Sequence, residues 1–306
     1  MKMHKSTLVV IVTYNAMQWI ERCLCSLSLS NVPVQVLVID NGSTDGTQQF
    51  IHEKFPDAEL IQSNENLGFG KANNIGLQKA LDGGYDYVYL LNQDAWLEPD
   101  TIQILIEIQK KYPEYGILSP MQLQADKSSF DKNFLQIVIR TAPISFDVFE
   151  EALYFNRVSD VYEVNFVMAA HWLVSRKCLE TVGGFSPTFP HYGEDDNYIQ
   201  RCQYWGYKVG IVPAAKAVHD RAQRITSKEK RIYLDKYIDA LKRSSAPQNP
   251  IHVNKFIKAY LHGGLLGNDK HLRNYAIRLF KERNEILLNR EISIKQHAAF
   301  LKWSND

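Results

Sequence analysis

The side chains with the most chemistry in this chain sit in two acidic clusters, about one hundred residues apart. The first closes an apolar run at Asn92-Gln93-Asp94. The second, Glu194-Asp195-Asp196, follows a stretch rich in glycine and aromatic residues. A carboxylate at the end of a buried strand can hold a divalent cation against a diphosphate. A second carboxylate brought opposite it can take a proton from an attacking hydroxyl. Three adjacent acids point different ways, so one or two of them can face a bound molecule, and their mutual repulsion raises one pKa toward the range of a base. The plainer reading is that these acids complement the dipole of a helix that starts there. Asp94 could also cap the next helix, but Ala95–Glu98 intervene and Pro99 is the better first helical residue. His219 follows an Ala/Val run, where a lone histidine is commonly structural and metal ligation is the sharper alternative. Trp172 and Tyr192 read as core or lip aromatics, with stacking on an acceptor as the functional alternative.

Strands and helices in alternation must position these residues. Leu8–Val12 is a short β-branched run of the kind buried on both faces of a parallel sheet. Trp19, Ile20, Cys23, Leu24 and Leu27 then recur at helical spacing. Further strands are expected at Val34–Ile39, Ala58–Ile61, Asp86–Leu91, Gly116–Leu118, Val161–Met168 and Lys208–Val212. Helices are expected after a Ser43 or Thr44 cap, around Ala72–Ala80, after Pro99-Asp100, at Trp172–Leu179 and at Asp195–Trp205. This alternation predicts an α/β fold with a mostly parallel central sheet flanked by helices. Thr13-Tyr14-Asn15, Asp40-Asn41-Gly42 and Asn92-Gln93-Asp94 all fall at strand C-termini, the edge where open α/β sheets bind ligands. Taken alone, Asp40-Asn41-Gly42 is an ordinary turn. Residues 119–160 show the least periodicity and read as a long loop or edge strands that could cover a site.

Composition narrows the function classes. The 306 residues are 45 % hydrophobic and 23 % charged, ordinary for a soluble globular protein. The net charge of +1 hides an asymmetry: residues 1–220 carry 17 Lys+Arg against 26 Asp+Glu, and residues 221–306 carry 18 against 8. The body is therefore at −9 and the tail at +10. An acidic body disfavours a nucleic-acid partner, while the basic tail could meet anionic lipid or dock on the body. The tail shows helical stretches at Ile232–Leu241, Val253–Leu261 and Leu272–Leu287, broken at Gln248–Pro250 and Gly263-Gly264, and Lys242-Arg243 is its candidate lipid contact. Self-association into a homodimer is compatible with either reading. The four cysteines have neither CxxC nor zinc spacing and read as reduced thiols of a cytosolic protein. No signal-peptide core or membrane-length apolar run is legible, so any membrane contact is expected to be peripheral, at the inner face. No GxGxxG follows the first strand, which argues against NAD or FAD.

The ordered motifs Val9–Asn15, Asp40–Thr47, Asn66–Gly76, Leu91–Asp94, Gly183-Gly184-Phe185, Glu194-Asp195, Gly206–Lys208 and Pro213–His219 resemble those of the GT-A-fold, family 2 glycosyltransferases, especially the rhamnosyltransferase-like branch acting on bacterial surface polysaccharides. The resemblance covers about residues 7–220 and leaves 221–306 without an assigned motif. It implies a catalytic domain over 1–220, with a nucleotide-sugar half at 1–118 and an acceptor half at 119–220, followed by a mainly helical extension over 221–306. It also implies that Thr13, Tyr14 and Asn15 begin the nucleotide site, that Asp40 accepts a hydrogen bond from the pyrimidine base, and that the loop bearing Asn66, Gly68 and Lys71 crosses the phosphates. Asn92 and Asp94 match the metal motif, Asp195 the general base, and His219 an additional metal or diphosphate ligand. Trp172, Tyr192 and Glu194 are the acceptor-side candidates. Asn92 stands where many members have Asp, which leaves one certain carboxylate for the metal, and Asn197 replaces a second Asp common beyond the base.

These implications make an inverting, Mn²⁺- or Mg²⁺-dependent transfer from a dTDP- or UDP-sugar, rhamnose among the candidates, to a saccharide or lipid-linked saccharide. A hexosyl or N-acetylhexosaminyl transferase is the alternative within the fold. A nucleotidyltransferase also needs a metal carboxylate at a strand end, but the first loop lacks a glycine-rich, basic grip for a triphosphate. A non-catalytic carbohydrate-binding protein would not require Asp94 and Asp195 together.

Overall fold

The computed structural model describes residues 5–141, 152, 154, 155, 157–221 and 228–302. Part of the 119–160 stretch expected to cover a site, and the start of the tail, lie outside these residues. β1 (Lys5–Thr13), β2 (Gln35–Asp40), β3 (Glu59–Gln62) and β4 (Tyr85–Asn92) pair in parallel in the order β3-β2-β1-β4. The sheet continues through β8 (His171–Ser175), β6 (Tyr115–Leu123), β9 (Lys208–His219) and β5 (Ala95–Leu97), and the two-residue β7 (Tyr162–Glu163) also pairs with β9. β8 runs antiparallel to β4 and β6, whereas β6 and β9 are parallel to each other. The C-terminal ends of β1, β2, β4 and β9 therefore share one edge of the sheet. This is the GT-A-like arrangement, a mixed and mostly parallel sheet with helices on both faces and a helical C-terminal region.

Alternation along β1 shows why its apolar run has no polar face. Leu8 and Val10 enter one core layer with Ala72, Leu77 and Ala80 of α3 (Phe69–Gly83). Val9 and Ile11 enter the other, with Ile20, Cys23 and Leu24 of α1 (Ile20–Ser28) and Leu105 of α4 (Thr101–Lys111). Both faces are buried, as a parallel strand requires.

Several boundaries differ from the sequence reading. Trp172–Leu179 is not one helix: His171–Ser175 is a strand with Trp172 opposite Leu90, and α6 (Arg176–Val182) follows. Ser175 punctuates the change by accepting the Cys178 amide as an N-cap. The expected strand at Val161–Met168 contracts to β7, while β9 runs on from Lys208 to His219 past Pro213, which falls at a register irregularity against β6. Within 119–160, α5 (Lys132–Thr141) interrupts the presumed loop. Asp45, rather than Ser43 or Thr44, braces the start of α2 (Thr47–Lys54) by accepting from the Thr47 amide and hydroxyl.

α7 (Glu194–Tyr204) precedes β9, and the tail forms α8 (Lys228–Ser245), α9 (Val253–Leu266) and α10 (Lys270–Lys295). α9 passes through Gly263-Gly264 and stops before Gly267. The tail has its own apolar cluster around Tyr237, Leu241, Val253, Ile257, Leu279 and Ile286, but Phe189 of the body is inserted in it. The last described segment also docks on the body: the Gly184 amide donates to the Ala299 carbonyl, and the Ala298 amide to that of Glu180. Of the basic pair expected to face lipid, Lys242 pairs with Asp196 and Arg243 with Asp239, so both charges are already engaged within the protein.

Candidate active site

Three loops meet at the shared edge because their strands are in register: Thr13 lies opposite Asp40, and Val12 opposite Asn92. Asp40 is wholly buried. Its Oδ2 accepts from the hydroxyls of Thr13 (2.7 Å) and Ser43 (2.5 Å). Its Oδ1 accepts from the amides of Gly42 (3.1 Å) and Ser43 (2.8 Å) and the side chain of Gln48 (2.5 Å). A carboxylate offers about four lone-pair directions, so these five donors saturate it. The expected direct bond from Asp40 to a pyrimidine base is corrected accordingly: in this structure the carboxylate braces the loop that forms the floor of the site. Asn15, in the left-handed region (φ 51°), accepts the Thr44 amide through its side chain and donates its own amide to Ser43. Tyr14 is half exposed, and the Gln93 side chain holds its backbone on both sides, accepting from its N–H and donating to its carbonyl.

Asn41 carries the edge toward the next loop, accepting the Leu67 amide and donating to the Gly68 carbonyl, both at 3.4 Å. Asn66 is exposed, and its side chain accepts the Gly68 amide at 2.9 Å. Gly68 has φ +80°, and a Cβ there would fall 2.6 Å from the Pro190 carbonyl oxygen, so this position needs glycine. Lys71 is exposed in the first turn of α3. A Cβ on Gly70 would meet Phe185 at 3.0 Å and the Glu194 Cβ at 4.0 Å. The loop over 66–71 is thereby pressed against the segment that leads into the second acidic cluster.

Asp94 and His219 are brought together by sheet topology. β5 runs back along β9, placing Ala95 opposite His219, and the Asp220 amide donates to the Asp94 carbonyl. Asp94 Oδ1 lies 3.5 Å from His219 Nε2, with the two side chains 19 % and 4 % exposed. Ligands on one ion at about 2.0–2.2 Å are themselves roughly 3–3.5 Å apart, so this pair fits two positions on a divalent cation. His219 Nδ1 is buried without a hydrogen-bond partner, so the ring lacks the N–H contact that usually orients a metal-ligating histidine. No group of three or more His, Cys, Asp or Glu side chains suited to a metal occurs among the described residues. Two protein ligands suit a Mg²⁺-type ion that takes its remaining oxygens from phosphate and water. Asn92, at the end of β4, is half-buried.

Behind this pair stands His171, which sequence reasoning missed. It is wholly buried, packs edge-on to the His219 ring and lies opposite Leu91 in β4. Its Nε2 donates to the Val218 carbonyl at 3.0 Å, which leaves Nδ1 to accept from the Tyr89 hydroxyl at 3.0 Å. Burial first, and His219 second, hold its pKa down at about 3, so the ring is neutral. Its signal was a lone ring-nitrogen side chain in the apolar run Ala169-Ala170-His171-Trp172-Leu173-Val174.

The acidic cluster forms the first turn of α7, with Gly193 at the N-cap. Burial, and then Asp195, push Glu194 up to about 8. Burial, and then Asp196, push Asp195 up to about 6, against the amide of Asp196, which donates to Asp195 Oδ1 at 2.9 Å. Both carboxyls are thus held above the ordinary carboxylate range, because the enclosed turn resists carrying adjacent negative charges. Tyr192 is 57 % exposed and free to meet an acceptor. Trp172 is not: it is 0 % exposed, stacked on Phe185, and its indole N–H donates to the Val167 carbonyl. The acceptor role expected for Trp172 is corrected, since a ring enclosed in the core has no face for a sugar.

A model of the family Glycosyl transferase family 2 matches residues 8–182. The N-acetylglucosaminyl-diphospho-decaprenol L-rhamnosyltransferase of Mycobacterium tuberculosis is 31 % identical over 236 residues, covering 70 % of this chain and 76 % of its own length. The dTDP-rhamnosyl transferase RfbF of Shigella flexneri is 24 % identical over 71 % of this chain and 70 % of its own length. Among solved structures, the mannosyltransferase PcManGT of Pyrobaculum calidifontis, in complex with GDP-Man and Mn²⁺, superimposes with a TM-score of 0.57 at 18 % identity, covering 96 % of this chain and 88 % of that one.

Proposed function

The chain belongs to glycosyl transferase family 2, and from that premise we propose an inverting, metal-assisted transfer of a sugar from a nucleoside diphosphate to a saccharide or lipid-linked saccharide acceptor. The observation that carries the reading is the enclosed acidic first turn of α7, with Glu194 and Asp195 both held above the ordinary carboxylate range, packed against the loop over 66–71. Asp195 takes the proton of the acceptor hydroxyl as that oxygen attacks the anomeric carbon from the face opposite the diphosphate. The C–O bond to the diphosphate breaks as the new glycosidic bond forms, so configuration inverts and no covalent enzyme intermediate arises. Glu194 borders the acceptor side, and Tyr192 offers a ring face there.

Tyr14 and Asn15 line the nucleotide end, with the buried Thr13 and Asp40 acting through the loop they brace. Asn66, Gly68 and Lys71 cradle the diphosphate, where the Lys71 ammonium and the N-terminus of α3 favour negative charge. Asp94 and His219 would hold a divalent cation, Mn²⁺ or Mg²⁺, beside Asn92, and such an ion would supply charge neutralisation at the diphosphate.

Two readings of the sugar stand. The mycobacterial and Shigella relatives are named for rhamnose, which favours a dTDP-sugar donor. The alternative, a hexosyl or N-acetylhexosaminyl unit, draws the broader support from the relatives. No helix among the described residues is long and apolar enough to cross a membrane. The proposed setting is cytoplasmic, with peripheral contact at the membrane face where a lipid-linked acceptor would lie. The exposed Ile277 and Phe280 of α10 are better placed for that contact than the paired Lys242 and Arg243.

The test is nucleoside diphosphate release from dTDP-rhamnose, UDP-glucose, UDP-N-acetylglucosamine and GDP-mannose, each with Mn²⁺ or Mg²⁺. Release from one donor selects the sugar reading. Release from none, by folded protein across this set, would overturn the activity.

A further inference from the structure

The C-terminal extension touches the catalytic turn along a single stripe of α8. Ile238, Lys242 and Ser245 recur at the spacing that puts residues on one helix face. Each meets a successive part of the first turn of α7. The Ile238 Cγ2 sits 3.0 Å from where a Cβ on Gly193 would be, Lys242 Nζ is 2.5 Å from Asp196 Oδ2, and the Asn197 side chain donates to Ser245 Oγ at 3.3 Å. The Lys242–Asp196 pair is largely shielded, with side chains 30 % and 27 % exposed. Shielding makes the pair stronger than an open surface bridge.

Resting on the base assignment above, we propose that Lys242 is a positioning residue for Asp195: by gripping Asp196 it fixes the first turn of α7 and supplies the positive charge that turn needs. The extension is then a working part of the transferase rather than an appendage. Among the described residues, the charged groups that act on this turn are Glu194 and Asp196 from the same helix and Lys242 from α8. From the elements packed beside the turn, α3 presents Gly70, and α10 presents the uncharged Asn289, which donates to Thr188. Lys242 favours the ionised form of Asp195 while Asp196 disfavours it, so removing either partner moves Asp195 in opposite directions.

The experiment is a side-chain carboxyl ¹³C titration of the full chain, with Asp195→Asn marking the resonance, which needs neither donor nor acceptor. Lys242→Met keeps the aliphatic stem and should raise the Asp195 midpoint by about one pH unit; Lys242→Arg should restore it. Asp196→Asn should lower the midpoint, and Lys242→Gln takes the place of Lys242→Met if that variant does not fold. Where turnover is measurable, the acid limb of kcat/KM should move with the same sign. An Asp195 midpoint unmoved by removal of the lysine charge would overturn the proposal. A midpoint that moves as expected in a protein that releases no nucleotide would support Lys242 and count against the transferase reading instead.

Discussion

Replacing Asp195 with Asn separates proton abstraction from every other task of the site. The amide keeps the shape of the side chain and can still accept from the Asp196 amide, which bonds to Oδ1 at 2.9 Å, but it cannot take the acceptor's proton. A loss of about 10²–10⁴ in kcat is expected, with donor affinity within about twofold because a base on the acceptor side does not neutralise the leaving diphosphate. The pH profile sharpens the test. With its pKa pushed up to about 6, Asp195 loses its charge as pH falls from about 7 toward 5. Wild-type kcat/KM should therefore fall over that range, and the residual rate of Asp195→Asn should lack that limb. Glu194 is the control. Its carboxyl is held well above the ordinary range by burial and by Asp195, so Glu194→Gln, which keeps the shape without charge, should retain most of the rate. The assay is nucleotide release at saturating donor from pH 5 to 9, with donor binding followed by calorimetry. Normal turnover by Asp195→Asn together with an inactive, donor-binding Glu194→Gln would refute the assignment and move the base one residue earlier.

Asp94→Ala should remove one of the two facing metal ligands and weaken Mn²⁺-dependent donor binding at least tenfold by calorimetry; full activity of that variant in EDTA would sink the metal assignment. Gly68→Ala must place a Cβ 2.6 Å from the Pro190 carbonyl at φ +80°, a strain of about 1–3 kcal/mol, and should lower the melting temperature and raise the donor KM; an unchanged melting curve would show the loop to be slack. Glu194 and Asp195 both have folded pKa values above those of free carboxyls, so the folded state binds more protons, and stability should decline as pH rises from about 4 toward 8; denaturant midpoints that increase over this range would contradict the burial of the turn. Vesicles containing anionic lipid should retain more protein than neutral ones at low salt if the exposed Ile277 and Phe280 of the basic tail meet a membrane; equal recovery in solution with both would remove that contact.

The amino-acid sequence by itself determined the α/β alternation and the edge on which the chemistry lies, because β-branched runs such as Leu8–Val12 and Val34–Ile39 are legible without knowing their neighbours. It also determined which residues stand at strand ends, since Asn15, Asp40, Asn92 and Asp94 each interrupt an apolar run. Tertiary structure decided what those residues are free to do. Asp40 and Trp172 look like binding groups in sequence, yet the first is saturated by five donors brought from two loops and a helix, and the second is stacked on Phe185 in the core. Trp172–Leu179 was readable as a helix by local spacing, but pairing with β4 and β6 on both sides made its first part a strand. The partnership of Asp94 with His219 spans 125 positions and arises only because β5 folds back along the end of β9. How far Glu194 and Asp195 are shifted is likewise absent from the sequence. It depends on how their turn is enclosed and on a lysine contributed by the third-last described helix, both of which exist only once the tail has packed on the body.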